Sequence, residues 1–358
     1  MAGFEYVRPT TLEGAVAELT QRGEGAVAVA GATDLWVNIR LGKLKPEAVV
    51  SLRGIAGLDV LTAEFADGGA RGSGGLAAAG SPAASGLGAA GGGLTIGAMT
   101  PHGKVEDSLW VATHFPALQQ GCAGLGSRQV RNVGTVGGNI CNAAPCADSA
   151  TALMLFDATL VLQSTAGLRE LPLGEFFVGP GMTRLLQGEL LKEIRVPDPG
   201  PNTFSRYIKH TRRRGVELAM MSVGVRLTLE DDLRTVKTAR ISLGVCAPTP
   251  TCATRAQDML VGRSLTREAV EAAALVAADD SRVRDSWRGK AWYRREMIRV
   301  LVPRAVEQSG AYLAAGIAPA AGSGAGPSTG AGAAAGDAGA PGFVGRGIDR
   351  GAGAPDEA

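Results

Sequence analysis

Thr135-Val136-Gly137-Gly138-Asn139, running on through Ile140 and Pro145 to Asp148, is the segment with the clearest chemistry. Two adjacent glycines let a ligand approach the backbone with no Cβ in the way, so peptide N–H groups can face phosphate oxygens. The Thr135 hydroxyl and the Asn139 amide flank them and can hydrogen-bond the same anion. A β-like run over 131–136 leads in. A helix-like run over 147–156 follows, with Asp148 and Ser149 as N-cap candidates. Strand, glycine turn and helix N-terminus together predict an anion cradle.

A second turn lies far upstream, in Val27-Ala28-Val29-Ala30-Gly31-Ala32-Thr33-Asp34-Leu35. An apolar β-run ends at Gly31, and Thr33 and Asp34 can cap a helix starting near Leu35 and Trp36. The dinucleotide fingerprint Gly-x-Gly-x-x-Gly does not follow this strand, and no Gly-Lys-Ser/Thr phosphate loop is present. The two turns are expected to converge on the two ends of one diphosphate.

Other chemistries find less support. Cys141 and Cys146 are the closest cysteine pair but lack further thiolates or histidines nearby, and Cys122, Cys246 and Cys252 are scattered. All five read as small buried hydrophobes, with no metal site. His102, His114 and His210 form no zinc-binding spacing, and no Gly-x-Ser-x-Gly elbow is present.

The elements that must position the turns read as α/β at first. An amphipathic helix is expected over 11–21, with Leu12, Val16 and Leu19 on one face and Thr10 or Thr11 as cap. Strands over 27–30 and 49–52 bracket a helix over 34–41, a βαβ pattern. Runs over 58–61 and 94–97 suit a hairpin whose tip carries a Gly/Ala/Ser-rich insertion over 68–93. Helices follow over 100–107 and 115–123, and strands over 160–163, 171–172 and 193–196. A third region has antiparallel strands over 204–209, 219–229 and 238–245, with helices over 255–260, 267–280 and 291–308. The Gly/Ala/Pro-rich stretch over 316–358 has too few large apolar residues to pack and reads as a disordered tail.

Beyond these readings, the pair of turns resembles the Ala-Gly-Gly-x-x and Thr-x-Gly-Gly-Asn motifs of the FAD-binding medium subunit of molybdenum hydroxylases, the group of xanthine and carbon monoxide dehydrogenases. The resemblance extends over roughly residues 1–310. Gly179-Pro180-Gly181, Glu189 to Ile194 and Val196-Pro197 are similar to the segment closing its flavin domain. Lys209, Arg213-Arg214 and Glu217-Leu218-Ala219 resemble its Lys-x-x-x-Arg-Arg-x-x-Asp-x-Ala stretch, and Leu243 to Pro250, Arg284 to Arg288 and Tyr293-Arg294 its C-terminal domain. Ala32 and Glu217 depart from it, standing where glycine and aspartate are usual.

The resemblance implies an α+β fold: a two-subdomain FAD-binding domain of the PCMH type over 1–200, then a smaller C-terminal domain with antiparallel sheet and helices over 203–312. It implies non-covalent FAD held by Ala28, Val29, Ala30, Gly31, Ala32, Thr33, Asp34, Leu35, Leu125, Thr135, Val136, Gly137, Gly138, Asn139, Asp148, Leu191 and Lys209. Asp148 would accept from cofactor hydroxyls, Leu191 would touch the flavin, and Lys209 would stabilise the anionic reduced ring. No residue of this chain is implied as an acid or base. The implied assembly, a dimer of heterotrimers, adds a molybdopterin-binding large subunit and a small subunit with 2Fe–2S clusters, with NAD as co-substrate. The wording is closest to bacterial xanthine dehydrogenase flavin subunits. A carbon monoxide, aldehyde or aromatic dehydrogenase of the same group, or a flavin-free assembly subunit, stays open.

Composition narrows the setting. Lys plus Arg number 36 against 34 Asp plus Glu, so no global field recruits nucleic acid or an anionic membrane. The run Arg212-Arg213-Arg214 is the one local basic patch, and it overlaps the family-like stretch. The N-terminus carries no secretory pattern, no apolar stretch is long enough to span a bilayer, and five unpaired cysteines fit a reducing compartment. A cytoplasmic location is expected. Deleting the chain from Ala318 onward, or shortening 68–93 to a tight turn, should leave the thermal midpoint and flavin content nearly unchanged. A large fall in either, followed by thermal denaturation and flavin absorbance, would mean that the segment packs on the core or on a partner.

Overall fold

Strand β1 (Glu5–Val7), helix α1 (Leu12–Arg22), strand β2 (Ala26–Val29), helix α2 (Leu35–Arg40) and strand β3 (Ala48–Ser51) open the fold of the computed structural model, which describes residues 3–64, 71–72, 92–213 and 215–318. Thr11 caps α1, its hydroxyl accepting from the N–H of Gly14 at 3.0 Å. Leu12, Ala15, Val16 and Leu19 form the buried stripe of α1. The three strands make a parallel sheet in the order β1-β3-β2, so β2–α2–β3 is the expected βαβ crossover. With α1 and part of the following loop this sheet closes a small core around Val16, Val50, Leu52 and Leu58.

The second subdomain is an antiparallel sheet with a helical layer on it. Its strands are β4 (Leu61–Glu64), β5 (Arg71–Gly72), β6 (Gly93–Gly97), β7 (Thr159–Ser164) and β8 (Gly167–Pro172). A short pair, β9 (Phe177–Gly179) and β10 (Met182–Thr183), precedes the last strand, β11 (Leu190–Pro197). The sheet order is β5-β4-β6-β11-β7-β8. The expected hairpin is β4 on β6, in register from Leu61 opposite Ile96 to Glu64 opposite Gly93. It starts a few residues later than its apolar run, because the carbonyls of Leu58 and Val60 are taken by the N–H groups of Met99 and Gly97. Most of the 68–93 insertion lies outside the described residues, but Arg71–Gly72 pairs with β4.

Between β6 and β7 come α3 (His102–Glu106), α4 (Leu109–His114), α5 (Pro116–Ala123), α6 (Arg128–Val133), α7 (Val136–Asn142) and α8 (Asp148–Leu153). Helix α9 (Leu173–Phe176) follows β8. They bury a core that includes Phe115, Leu118, Ile140, Leu153, Phe156 and Ile194.

One local expectation is overturned here. The run over 131–136 is no strand: α6 ends at Val133, and α7 begins at Val136. Val130, Val133 and Val136 gave that stretch its β character. The hydroxyls of Ser127 and Thr135, three residues before the N–H groups of Val130 and Gly138 that they accept from, start two short helices instead. Gly137 and Gly138 therefore lie in the first turn of a helix and not in a left-handed turn, since neither has positive φ.

The C-terminal part is a meander of β12 (Thr203–His210), β13 (Met221–Leu229), β14 (Val236–Gly244) and β15 (Thr251–Cys252). It is backed by α10 (Thr254–Asp258), α11 (Arg267–Asp280), α12 (Ala291–Ser309) and α13 (Ala311–Ala314). Val223, Val225, Leu227, Ile241 and Leu243 enter the core shared with those helices. The opposite face carries small residues. A Cβ on Gly224 would lie 2.8 Å from Leu155 Cδ1, and one on Gly244 would lie 2.6 Å from Thr151 Oγ1. This side of the sheet thus rests directly on α8 and the turn after it. Asp157, just beyond, pairs with Arg226 and Arg240 at 3.3 and 3.0 Å. The packed chain extends to Ala318, two residues past the expected start of the tail: Ile317 lies on the core and the Ala318 carbonyl accepts from Arg267.

Ala32, between β2 and α2, has φ 62°. An L-residue with a Cβ is strained there by roughly 1–2 kcal/mol. Ala32→Gly should relieve that cost, partly offset by a more flexible unfolded chain, for a net gain of about 0.5–1 kcal/mol. Urea denaturation of the cofactor-free chain measures it, and a loss of stability would show that the turn is held without strain.

Candidate functional site

The two turns meet through bare backbone. A Cβ added to Gly31 would lie 2.2 Å from the carbonyl oxygen of Val133 and 2.8 Å from Cα of Gly134. No side chain fits, so glycine is what allows the β2–α2 turn to lie against the α6–α7 junction. A Cβ on Gly138 would come within 3.5 Å of the Ala30 Cβ. The expected convergence of the two turns is thus present. Gly137 has a different task, because its added Cβ would strike the Ala98 backbone at 2.5 Å; it seats α7 on the end of β6.

The amides divide unevenly between the turns. At the start of α7, Val136 donates to the Thr100 carbonyl at 2.9 Å and Gly137 to the Ala98 carbonyl at 3.1 Å. Gly138 donates to Thr135 Oγ1 and Asn139 to the Thr135 carbonyl, both at 3.0 Å. Those four N–H groups are spoken for. Among the described residues, none of the N–H groups of Gly31, Ala32, Thr33, Asp34 and Leu35 donates to a protein acceptor. Neither Thr33 nor Asp34 supplies a side-chain cap to α2. This run of open amides from Gly31 to a helix start, with Ala32 in the left-handed region, is a nest suited to an anion. The open amides thus belong to the first turn, and the α6–α7 junction lies directly against it.

A buried ionic cluster lies along the helical layer. Asp148 is the first residue of α8; Ala147 is the N-cap, so the carboxylate does not cap the helix as expected. Its Oδ1 accepts from the Tyr207 hydroxyl at 2.6 Å and its Oδ2 from Lys209 Nζ at 2.8 Å. Burial pushes the Asp148 carboxyl above its usual range, while Lys209 and Tyr207 pull it back. Burial, then the Asp148 charge, raises the Tyr207 phenol well above its ordinary value. Lys209 also donates to the Gly124 carbonyl at 2.9 Å. Next to it the Leu125 carbonyl accepts from Arg131, whose guanidinium is gripped by Glu106 at 2.7 and 2.9 Å. Lys209, Leu125 and Asp148 therefore share one corner.

Strand periodicity explains the cluster. Along β12, Ser205, Tyr207 and Lys209 face the helical layer, while Phe204 and Ile208 pack toward the C-terminal core. Ser205 accepts from the Ala117 N–H, and the Gln120 side chain accepts from the Tyr207 N–H. Leu191 is 3 % exposed in the same core as Tyr207, beside an irregularity in the β11–β7 pairing. The structure gives it the core role; bulges of this kind re-aim side chains next to sites.

Three contributors lay outside the expected set. Tyr207 could have been found from its period-2 spacing with Lys209. Gln120 carries no sequence signal. His102, weighed only as a metal ligand, is 1 % exposed and sits between Gly134 and Ser149, with Nδ1 2.9 Å from the Gly134 carbonyl. Among the described residues no cluster of His, Cys, Asp and Glu suits a metal, and no helix is long and apolar enough to cross a membrane. Of the basic run, Arg214 lies outside the described residues. Arg212 and the Arg213 backbone are held by Glu217 at 3.1 and 2.8 Å, beside a cavity of about 510 Å³ that Trp287 and Arg288 also line.

Comparison with known proteins bears on the same residues. A family model described as the FAD binding domain in molybdopterin dehydrogenase matches residues 2–71 and 82–199, and one described as the CO dehydrogenase flavoprotein C-terminal domain matches 206–309. The nicotinate dehydrogenase FAD-subunit of Eubacterium barkeri is 27% identical over 84% of this chain and 93% of its own length. The xanthine dehydrogenase FAD-binding subunit of Escherichia coli O157:H7 is 31% identical over 63% of this chain and 76% of its own. A solved carbon monoxide dehydrogenase chain from Hydrogenophaga pseudoflava superposes with a TM-score of 0.74 at 31% identity, covering 86% of this chain and 97% of that one. The open amides at Gly31–Leu35 and the glycine-mediated floor beneath them lie in the half that matches the first model. The second model covers the strand that carries Tyr207 and Lys209. The chain belongs to the FAD-binding medium subunits of the molybdenum hydroxylases.

Proposed function

We propose that this chain is the FAD-carrying electron-transfer subunit of a xanthine dehydrogenase-like, purine-oxidising molybdenum hydroxylase. In this reading a large subunit holds molybdopterin and hydroxylates the substrate, and a small subunit with 2Fe–2S clusters relays the electrons. They leave from this chain to NAD or another acceptor. The assembly would be a dimer of heterotrimers in the cytoplasm. The xanthine dehydrogenase subunit from E. coli, at 31% identity, favours a purine. The nicotinate dehydrogenase subunit, matched over 93% of its length, favours a second reading in which the substrate is a pyridine carboxylate.

The observation that carries the flavin assignment is the run of open amides from Gly31 to Leu35, backed by the α6–α7 junction. Those amides would bind the FAD diphosphate, with Thr135 and Asn139 beside it and Ala28 to Ala30 as the strand that delivers the turn. Asp148 would take the cofactor's hydroxyl groups and Leu191 and Leu125 its apolar surface. Bound FAD supplies exchange of electrons singly or in pairs, which suits a post between one-electron clusters and a two-electron acceptor. Lys209 would favour the reduced, anionic ring by its charge, tempered by its ion pair with Asp148. No residue of this chain need move a proton for that task.

Gly138→Val should remove flavin from the purified chain. The new Cβ would lie 2.8 Å from Thr135 Oγ1 and close the gap toward Ala30, at a cost to the cofactor-free fold of about 1 kcal/mol from the disturbed cap. Absorbance of variant and wild type decides it, and full occupancy in the variant would make this glycine structural only. In the wild type, acid precipitation should release the colour into the supernatant; colour retained on the pellet would mean a covalent link.

Lys209→Met should have two effects. It leaves Asp148, whose side chain is 4% exposed, without its cation, which should cost about 3 kcal/mol, partly recovered by adding Asp148→Asn. It should also make the flavin harder to reduce. Urea denaturation and redox titration read the two effects separately. A midpoint potential that stays or rises would remove Lys209 from the flavin site.

A further inference from the structure

The turn over 286–289 carries an exposed tryptophan on a buried mount. Ser286 and Gly289 exchange two backbone hydrogen bonds, each 3.1 Å long. Arg294 of α12, 2 % exposed, supports the turn from the core side. One arm of its guanidinium donates to Ser286 Oγ at 2.7 Å and the other to the Val245 carbonyl at 3.1 Å. A Cβ on Gly289 would lie 2.9 Å from Met220 Sδ, so the turn also rests on the residue that leads into β13. At its tip Trp287 is 76 % exposed, with the guanidinium of Arg212 5.2 Å and that of Arg288 5.0 Å from the ring centre.

The loop after β12 forms the opposite wall of the cavity. Glu217 gathers that loop through Arg212 and the Arg213 N–H, and the Arg213 guanidinium donates to the Val216 carbonyl at 2.5 Å. The cavity volume, about 510 Å³, falls within the range of about 300–1,000 Å³ usual for small-molecule sites. Its charge is lopsided, because Arg212, Arg213 and Arg288 line it against Glu217 alone. Glu217 is already engaged by the loop. Among the described residues the half-buried Arg288 guanidinium meets no carboxylate or carbonyl, only the Trp287 ring. A half-buried cation without an anion selects one from solution, and an open tryptophan beside it selects a flat ring. A phosphate joined to an aromatic base has both. The cavity also adjoins the Lys209 corner. Arg212 follows Lys209 closely along the chain, and Arg288 acts on the Cys146 thiol, whose pKa burial raises and Arg288 pulls back.

We propose that this cavity binds the adenosine-diphosphate end of a dinucleotide, with the phosphates on Arg213 and Arg288 and the base against Trp287. That this ligand collects the electrons of the chain rests on the flavin reading above; the binding itself does not. The two anion sites differ in kind. The Gly31–Leu35 turn offers fixed backbone amides, suited to a resident group, whereas side chains on exposed loops suit a ligand that comes and goes and is weakened by salt.

Calorimetric titration of the flavin-loaded full-length chain with ADP-ribose tests this. One molecule should bind per chain, more weakly as salt is raised. Arg288→Ala should weaken it by about tenfold and Trp287→Ala by about fivefold. Inorganic pyrophosphate should bind less tightly than ADP-ribose and equally well to wild type and Trp287→Ala. Both replaced side chains lie at the surface, so flavin content and melting temperature should stay at wild-type values. Absence of ADP-ribose binding overturns the proposal and leaves Trp287 and its arginines to a protein partner. An unchanged Kd in either variant, or pyrophosphate binding as tight as that of ADP-ribose, also overturns it. Chain that takes up no FAD overturns the flavin reading instead, and ADP-ribose binding that still depends on Arg288 would then leave this site standing.

Discussion

Everything at the cradle depends on one backbone-to-backbone contact, Gly31 against Val133 and Gly134. Side chains normally keep segments of backbone apart; here the missing Cβ brings a parallel βαβ unit and a helical layer to van der Waals contact. The consequences are opposite for the two turns. The β2–α2 turn keeps its amides outward because Ala32 takes the left-handed conformation and no protein acceptor reaches them. The α7 start spends its amides on Thr100, Ala98 and its own cap, which makes it rigid. A turn with open amides is thus laid on one whose amides are all paired. That combination suits a site in which strain at one residue is held by the surrounding structure.

The second constraint is electrostatic. A carboxylate as buried as Asp148 is tolerated only with a paired cation and a hydrogen-bond donor, and both come from β12 of the C-terminal part. The small residues on β13 and β14 let that sheet lie close enough on α8 for the pairing to form. Packing and charge are therefore solved by one arrangement. If a ligand hydroxyl competes for Asp148, it enters a group already held in place, so orienting it costs little additional entropy.

Much of this was legible in the residues. A threonine cap on α1, at 10 or 11, the βαβ order and the antiparallel C-terminal meander all follow from periodicity and turn chemistry. The 131–136 segment did not, because its valines at 133 and 136 read as β-like, whereas the Ser127 and Thr135 caps divide it between two short helices. Which amides stay open was also hidden: the acceptors that consume the α7 donors, Ala98 and Thr100, lie far away in sequence. Tyr207 and Gln120 matter through contacts between elements distant in the chain; only Tyr207, two residues before Lys209 on a strand, leaves a trace in the sequence.

Strand β12 belongs to two interiors at once. Tyr207 is a member of the core beneath the helical layer, while Phe204 and Ile208 lie on the C-terminal one. The first matched family ends at 199, before this strand, and the second begins at 206, within it, so the physical seam runs through the strand where the two matches meet. Peeling the C-terminal sheet away would open the first core and strip Asp148 of both partners together. Neither half can therefore be removed without exposing apolar surface and leaving a buried carboxylate unpaired in the other.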